Sequence, residues 1–173
     1  MKRLLFLLFP LLGLAQAPSR VEGLAVYRGT FLFGAWEGKN PTARGEVFWD
    51  GKEKAGGKVC LDQRAWDSGN EERDGKARKI LKVEDHPEAC LYPERAYREG
   101  QVFWVEGWLE MVGKRRFLRI EGQLSEGAPL RFEGRFLTRF SEWGLERPSF
   151  LFLQVDDPVE VRLRAVLHLG STR

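Results

Sequence analysis

Arg131-Phe132-Glu133-Gly134-Arg135-Phe136-Leu137-Thr138-Arg139-Phe140 is the stretch whose reading decides the fold class. Phe132, Gly134, Phe136, Thr138 and Phe140 fall on one side of an extended chain. Arg131, Glu133, Arg135 and Arg139 fall on the other, with Leu137 the exception. A helix, with its period of 3.6, would scatter both sets around its circumference, so period two means a strand with one apolar face. Residues 159–169 repeat the pattern: Val159, Val161, Leu163, Ala165, Leu167 and Leu169 alternate with Glu160, Arg162, Arg164, Val166 and His168.

Working outward, Gln101–Met111 points Phe103, Val105, Gly107, Leu109 and Met111 one way, and Arg116–Leu124 does the same with Leu118, Ile120, Gly122 and Leu124. The short Gly-containing link Val112-Gly113-Lys114 makes these two an antiparallel hairpin. Further strands are expected at Leu24–Phe33, Ala43–Trp49, Lys58–Gln63 and Glu88–Tyr97, with turns at Asp50-Gly51, Arg98-Glu99-Gly100 and Glu126-Gly127. Eight or so short strands without alternating helices imply an all-β sandwich or barrel. Between Asp67 and Leu81 the alternation gives way to dense charge. Asn70 can cap a short helix there, with Glu71 and Glu72 in its first turn and Arg78 and Lys79 in its last, as the helix dipole favours.

The N-terminus reads as a secretory signal peptide over residues 1–17. Lys2 and Arg3 precede an apolar run from Leu4 to Leu14, and Ala15-Gln16-Ala17 is a small-x-small cleavage site. The run is shorter than the roughly 20 residues of a membrane-spanning helix. A single domain over residues 18–173 is then expected in the periplasm or secreted, an uncleaved N-terminal anchor being the alternative. Without Lys2 and Arg3 the formal charge falls from +3 to +1. Basic and acidic residues interleave, as in Arg131-Phe132-Glu133, which makes a solvated mixed face and argues against a nucleic-acid partner.

Cys60 and Cys90 lie in strand-like segments of a chain expected in an oxidising compartment. With Leu61 and Leu91 pointing inward, both cysteines face outward, where adjacent antiparallel strands would set them opposite each other and within bridging reach. Two unpaired thiols, or a register one pair out, is the other reading.

Several segments, in order, resemble the YceI-like family of extracytoplasmic, lipocalin-like proteins associated with polyisoprenoid binding. They are Ser68-Gly69-Asn70, Arg73-Asp74, Lys76 with Arg78, His86-Pro87-Glu88-Ala89-Cys90-Leu91, and the hairpin Val105-Glu106-Gly107-Trp108-Leu109-Glu110-Met111-Val112-Gly113. Ser141-Glu142-Trp143-Gly144-Leu145, Pro148 and Val155-Asp156-Asp157-Pro158-Val159 resemble the closing segment and last strand. Two departures stand out: Val21–Tyr27 lacks the His and Ser of the family's opening motif, and Glu110 replaces its usual hairpin Thr. The resemblance implies an eight-stranded antiparallel barrel around a long apolar pocket, with a short helical segment after the third strand covering part of it.

The expected function is carriage of an apolar small molecule, a polyisoprenoid, quinone or fatty-acid-like chain. The lining expected is Phe103, Val105, Gly107, Leu109, Ile120, Gly122, Phe132, Gly134 and Phe136. The three glycines have two readings, barrel curvature or space left for a guest. Arg73 and Asp74 are expected to pair with each other or with neighbouring strands and fasten the helix; alternatively Arg73 or Arg78 meets a polar head group. The carrier reading also admits transient contact with envelope membranes. A second function class is an envelope interaction module with a filled interior and outward Trp104 and Trp108. No nucleophile elbow, phosphate loop or CxxC motif is present, and the only histidines, His86 and His168, are far apart. No catalytic residue, metal site or resident cofactor is therefore expected.

Overall fold

The computed structural model describes residues 17–170, so the expected signal peptide lies, but for Ala17, outside the described residues. Eight long strands are named in chain order: β1 (Ser19–Phe31), β2 (Gly34–Trp49), β3 (Ala55–Asp62), β4 (Glu88–Glu99), β5 (Val102–Met111), β6 (Lys114–Ser125), β7 (Leu130–Arg139) and β10 (Pro158–His168). They close into an antiparallel barrel in the order β1-β10-β7-β6-β5-β4-β3-β2. A small hairpin, β8 (Ser149–Phe150) with β9 (Leu153–Gln154), interrupts the path into β10. Closure leaves the eight barrel strands without a free edge.

Phe132 and Ile120 are buried on the inner face, while Leu137, the exception to the alternation, is 68% exposed. Phe140 leaves the strand for a 3-10 turn (Phe140–Trp143), and Leu169, expected inward, lies beyond β10 and is exposed. Val112 and Gly113 both have positive φ, 47° and 73°, which is the two-residue turn that suits the twist of a hairpin.

The first two strands differ from expectation. Leu24–Phe33 and Ala43–Trp49 are parts of a longer hairpin that turns at Leu32-Phe33. A bulge lies between Gly23 and Ala25. Opposite it Asn40, fully buried, donates to the Asp62 carbonyl at 2.8 Å and accepts from Thr42 N and Oγ1. That network satisfies the polar groups that the irregular pairing frees.

The helix α1 (Glu71–Ile80) forms where expected, and Asn70 Oδ1 accepts from Arg73 N at 3.0 Å. The segment before it is stitched to β2 by reciprocal backbone bonds between Lys39 and Asp67, at 2.8 and 2.9 Å. Cys60 and Cys90 are directly opposed on β3 and β4 and form a disulfide, with Cα atoms 4.1 Å apart.

The barrel has two unlike ends. At one, Trp49, Phe103 and Phe132 stack edge to face, at 5.1 and 6.0 Å between centroids, and Trp49 Nε1 donates to the Ala96 carbonyl at 2.7 Å. Ala96, Leu118 and Ile120 complete this packed floor. At the other end lie α1, the β1–β2 turn and the β8–β9 hairpin.

A candidate ligand cavity at the helix end of the barrel

Above the floor the barrel is hollow. A cavity of about 390 Å³ runs from Ile120 and Leu118 towards α1, within the roughly 300–1,000 Å³ of small-molecule sites. Its wall is built from inward positions of β1 (Ala25, Tyr27, Phe31), β3 (Val59, Leu61), β4 (Ala89, Leu91) and β10 (Val159, Val161, Leu163). Ala77, Ile80 and Leu81 roof it from the helix, and Trp143, Leu145 and Phe150 close its side. Trp143 is itself locked by donating to Thr138 Oγ1 at 2.7 Å.

The residues expected from the alternation divide by depth. Leu109, Ile120 and Phe136 line the cavity. Phe103 and Phe132 belong to the floor, and Val105 packs against it. Gly107, Gly122 and Gly134 are not open space. A Cβ at Gly107 would run into the Tyr92 carbonyl oxygen, and one at Gly122 or Gly134 into the Phe132 ring. These glycines permit close approach of strands and a large ring in a tightly curved wall, the curvature reading. Alternation specifies a face and is silent on depth, so it does not separate floor from wall.

Charge is confined to the mouth. Arg73 and Asp74 do not pair with each other, contrary to one of the expected arrangements. Asp74 is buried and accepts from Ser68 N at 3.1 Å and Ser68 Oγ at 2.7 Å, fastening the helix to the segment before it. Arg73 instead lies 5.2 Å over the Trp36 ring and reaches Ser68 Oγ at 3.4 Å. Arg78, the other head-group candidate, is held by Glu71 at 2.5 Å and does not line the cavity.

The sequence does not by itself place Tyr27 or Trp36 at the cavity, although Ala25, Tyr27, Gly29 and Phe31 keep the period-two signal. The Tyr27 ring meets Trp66 edge-on at 5.2 Å. Burial pushes its phenol above the usual tyrosine range, with the Trp36 indole and Ser68 beside its hydroxyl pulling the other way. The Trp36 Nε1–H is buried against the Tyr27 hydroxyl, without a hydrogen bond of ordinary geometry.

On the outer surface Arg119 covers Trp104 at 3.7 Å, and Arg115 lies 5.2 Å over Trp108, whose Nε1 donates to Glu94 at 3.1 Å. The two tryptophans of the interaction-module reading are therefore capped by arginines. Glu88 comes within 4.8 Å of Cys60 and Cys90, but the two sulfurs are bonded to each other and unavailable to a metal.

Comparison with known proteins adds the lineage. The sequence model of the YceI-like domain matches residues 16–167. No curated protein shows significant sequence similarity to the chain. Among solved structures, Burkholderia cenocepacia BcnA superimposes with a TM-score of 0.74 at 16% identity, covering 83% of this chain and 95% of that one. A polyisoprenoid-binding domain from Saccharophagus degradans, implicated in plant cell wall breakdown, gives 0.65 at 11% identity over 90% and 100%. The Campylobacter jejuni YceI protein gives 0.62 at 11% over 78% and 85%. At these identities the three structures establish the fold alone.

Proposed function

This chain belongs to the YceI-like family, and we propose on that footing that it binds and carries an apolar-chain molecule outside the cytoplasm. Polyisoprenoids, quinones and fatty-acid-like chains are the guests its cavity suits. The observation that carries the reading is a hollow of about 390 Å³ whose wall is mostly aliphatic and aromatic from the floor to the helix. Such a wall rewards an apolar guest by about 25 cal/mol for each Å² removed from water. A sugar or nucleotide would leave its polar groups unpaired there. The hollow also disfavours the filled-core alternative.

The disulfide Cys60–Cys90 fits an oxidising compartment, and the signal-peptide pattern of residues 1–17 points to the periplasm or secretion. Binding, and not catalysis, is the role proposed, since the buried polar side chains of the lining, Gln63 and Thr138, are already engaged by the indole N–H groups of Trp66 and Trp143. Beside the cavity's mouth, Leu32 and Phe33 at the β1–β2 turn and Leu151 and Phe152 at the β8–β9 turn are exposed, Phe152 completely. Thr30 Oγ1 donates to Asp156 at 2.7 Å and ties the two tips to one end of the barrel. These tips suit brief contact with a membrane during loading.

Uptake tests the proposal. Protein incubated with a labelled long-chain isoprenol, quinone or fatty acid and passed through gel filtration is expected to retain at least one of them stoichiometrically. Retention of none would overturn it.

A further inference from the structure

The hollow is a blind pocket. Its lining runs from α1 down to Leu118 and Ile120 on β6 and stops short of Trp49, Phe103 and Phe132. Those three rings plug the lower bore. Phe103 stacks edge to face with both Trp49 and Phe132, and Phe103 and Phe132 are buried. Gly122 and Gly134 leave β6 and β7 bare where the Phe132 ring rests on them. From below, Arg98 lies 5.8 Å over the Phe103 ring and donates to the Leu124 carbonyl at 3.3 Å, reaching from β4 to β6 across the lower opening. Packed interiors yield little, so a chain entering at the mouth meets a fixed stop.

Volume turns that stop into a length. A methylene takes up about as much room as a water molecule, ~30 Å³. A hollow of about 390 Å³ therefore holds about thirteen carbons. Each carbon seated against the wall leaves water and adds to affinity, whereas each carbon beyond the mouth stays in water and adds little.

We propose that the barrel measures its guest, taking a single chain of about thirteen carbons, with Leu118 and Ile120, braced by the ring plug, as the stop. The inference rests on the apolar-guest reading and narrows it. A fatty-acyl chain of that length, or a prenyl tail of about two to three five-carbon units, fills the hollow. A longer polyisoprenoid seats only its end, and its remaining units gain nothing from the barrel wall.

The test is a ladder of straight-chain fatty acids from about 8 to about 20 carbons at about pH 8, where all share one ionised head group. Displacement of a fluorescent apolar probe gives each affinity. Affinity should climb about fourfold per added carbon. It should then break at about thirteen carbons and gain less than about 1.5-fold per carbon beyond. Leu118→Phe, which adds bulk at the stop, should move the break about two carbons shorter, and Ile120→Ala, which trims the stop, about two carbons longer. Thermal melts confirm that each variant is folded; Ile120→Val, with a shift of about one carbon, stands in should the alanine variant not fold. An undiminished climb to the longest acid, or a break that stays put in either folded variant, would overturn the stop and leave the apolar-guest reading standing. A ladder in which no acid displaces the probe would overturn the apolar-guest reading itself.

Discussion

Blocking the hollow from within should abolish binding without harming the fold, and Val161 is the position from which to do it. Val161 sits on β10 between its paired neighbours Tyr27 on β1 and Phe136 on β7, and all three line the cavity. In Val161→Trp the indole has the 390 Å³ hollow to enter and apolar walls to lie against. Indole and guest chain then compete for the same surface. An aromatic side chain buries some 150–250 Å², so eviction of on the order of 100 Å² of guest is a conservative figure. At about 25 cal/mol per Å² that is about 2.5 kcal/mol, or roughly 70-fold in affinity. The empty protein should melt no lower than the parent, because the ring occupies existing space, whereas overpacking a filled core costs roughly 1–3 kcal/mol. Probe displacement gives the affinity and a thermal melt gives the stability. A folded Val161→Trp that binds the guest as tightly as the parent would show that the guest lies elsewhere. A variant destabilised by several kcal/mol would show that the space is not there.

Other consequences can be checked alongside. Cys60→Ala with Cys90→Ala removes a link across a sequence separation of 30; it should cost about 3 kcal/mol in the chain-entropy model and lower Tm by roughly 10 °C, read by calorimetry. Val112, a β-branched residue at φ 47°, makes Val112→Asn a stabilising change of about 1 kcal/mol in denaturant titration. Asp157 is held below the usual carboxylate range, first by the Ser141 hydroxyl and then by its backbone N–H. Its contribution to stability is whole above the ordinary carboxylate pKa and disappears as pH falls through the lowered one, so the acid limb of a stability–pH curve should flatten in Asp157→Asn. Replacing Leu151 and Phe152 together with serine should weaken co-sedimentation with lipid vesicles at least about tenfold, with uptake of a soluble probe unchanged.

Much of this architecture is legible in the residues. The alternation of 131–140 and 159–168, the Val112-Gly113 turn and the Asn70 cap are local signals, and local geometry obeys them. The opposed cysteines follow from pairing adjacent strands with Leu61 and Leu91 inward. The β1–β2 hairpin is harder to read, because its turn is made of Leu32 and Phe33, residues that ordinarily belong inside a strand, while Gly34, Gly38 and Pro41 resemble breakers within one. Position along the barrel axis is also hidden. Phe132 and Phe136 share a face, yet one closes the floor and the other lines the hollow, and only the stagger of eight strands decides which. The mouth is assembled across long separations, Trp36 meeting Arg73 and residues of the 139–150 segment lining the same cavity, so no window of sequence contains it.

Native mass spectrometry of protein purified gently from its own host tests the central claim most directly. Occupancy by a single-chain apolar molecule is predicted, with a mass shift that vanishes on organic extraction and is missing in Val161→Trp. Protein recovered repeatedly at its bare polypeptide mass, which then also takes up no long-chain ligand, would contradict the account.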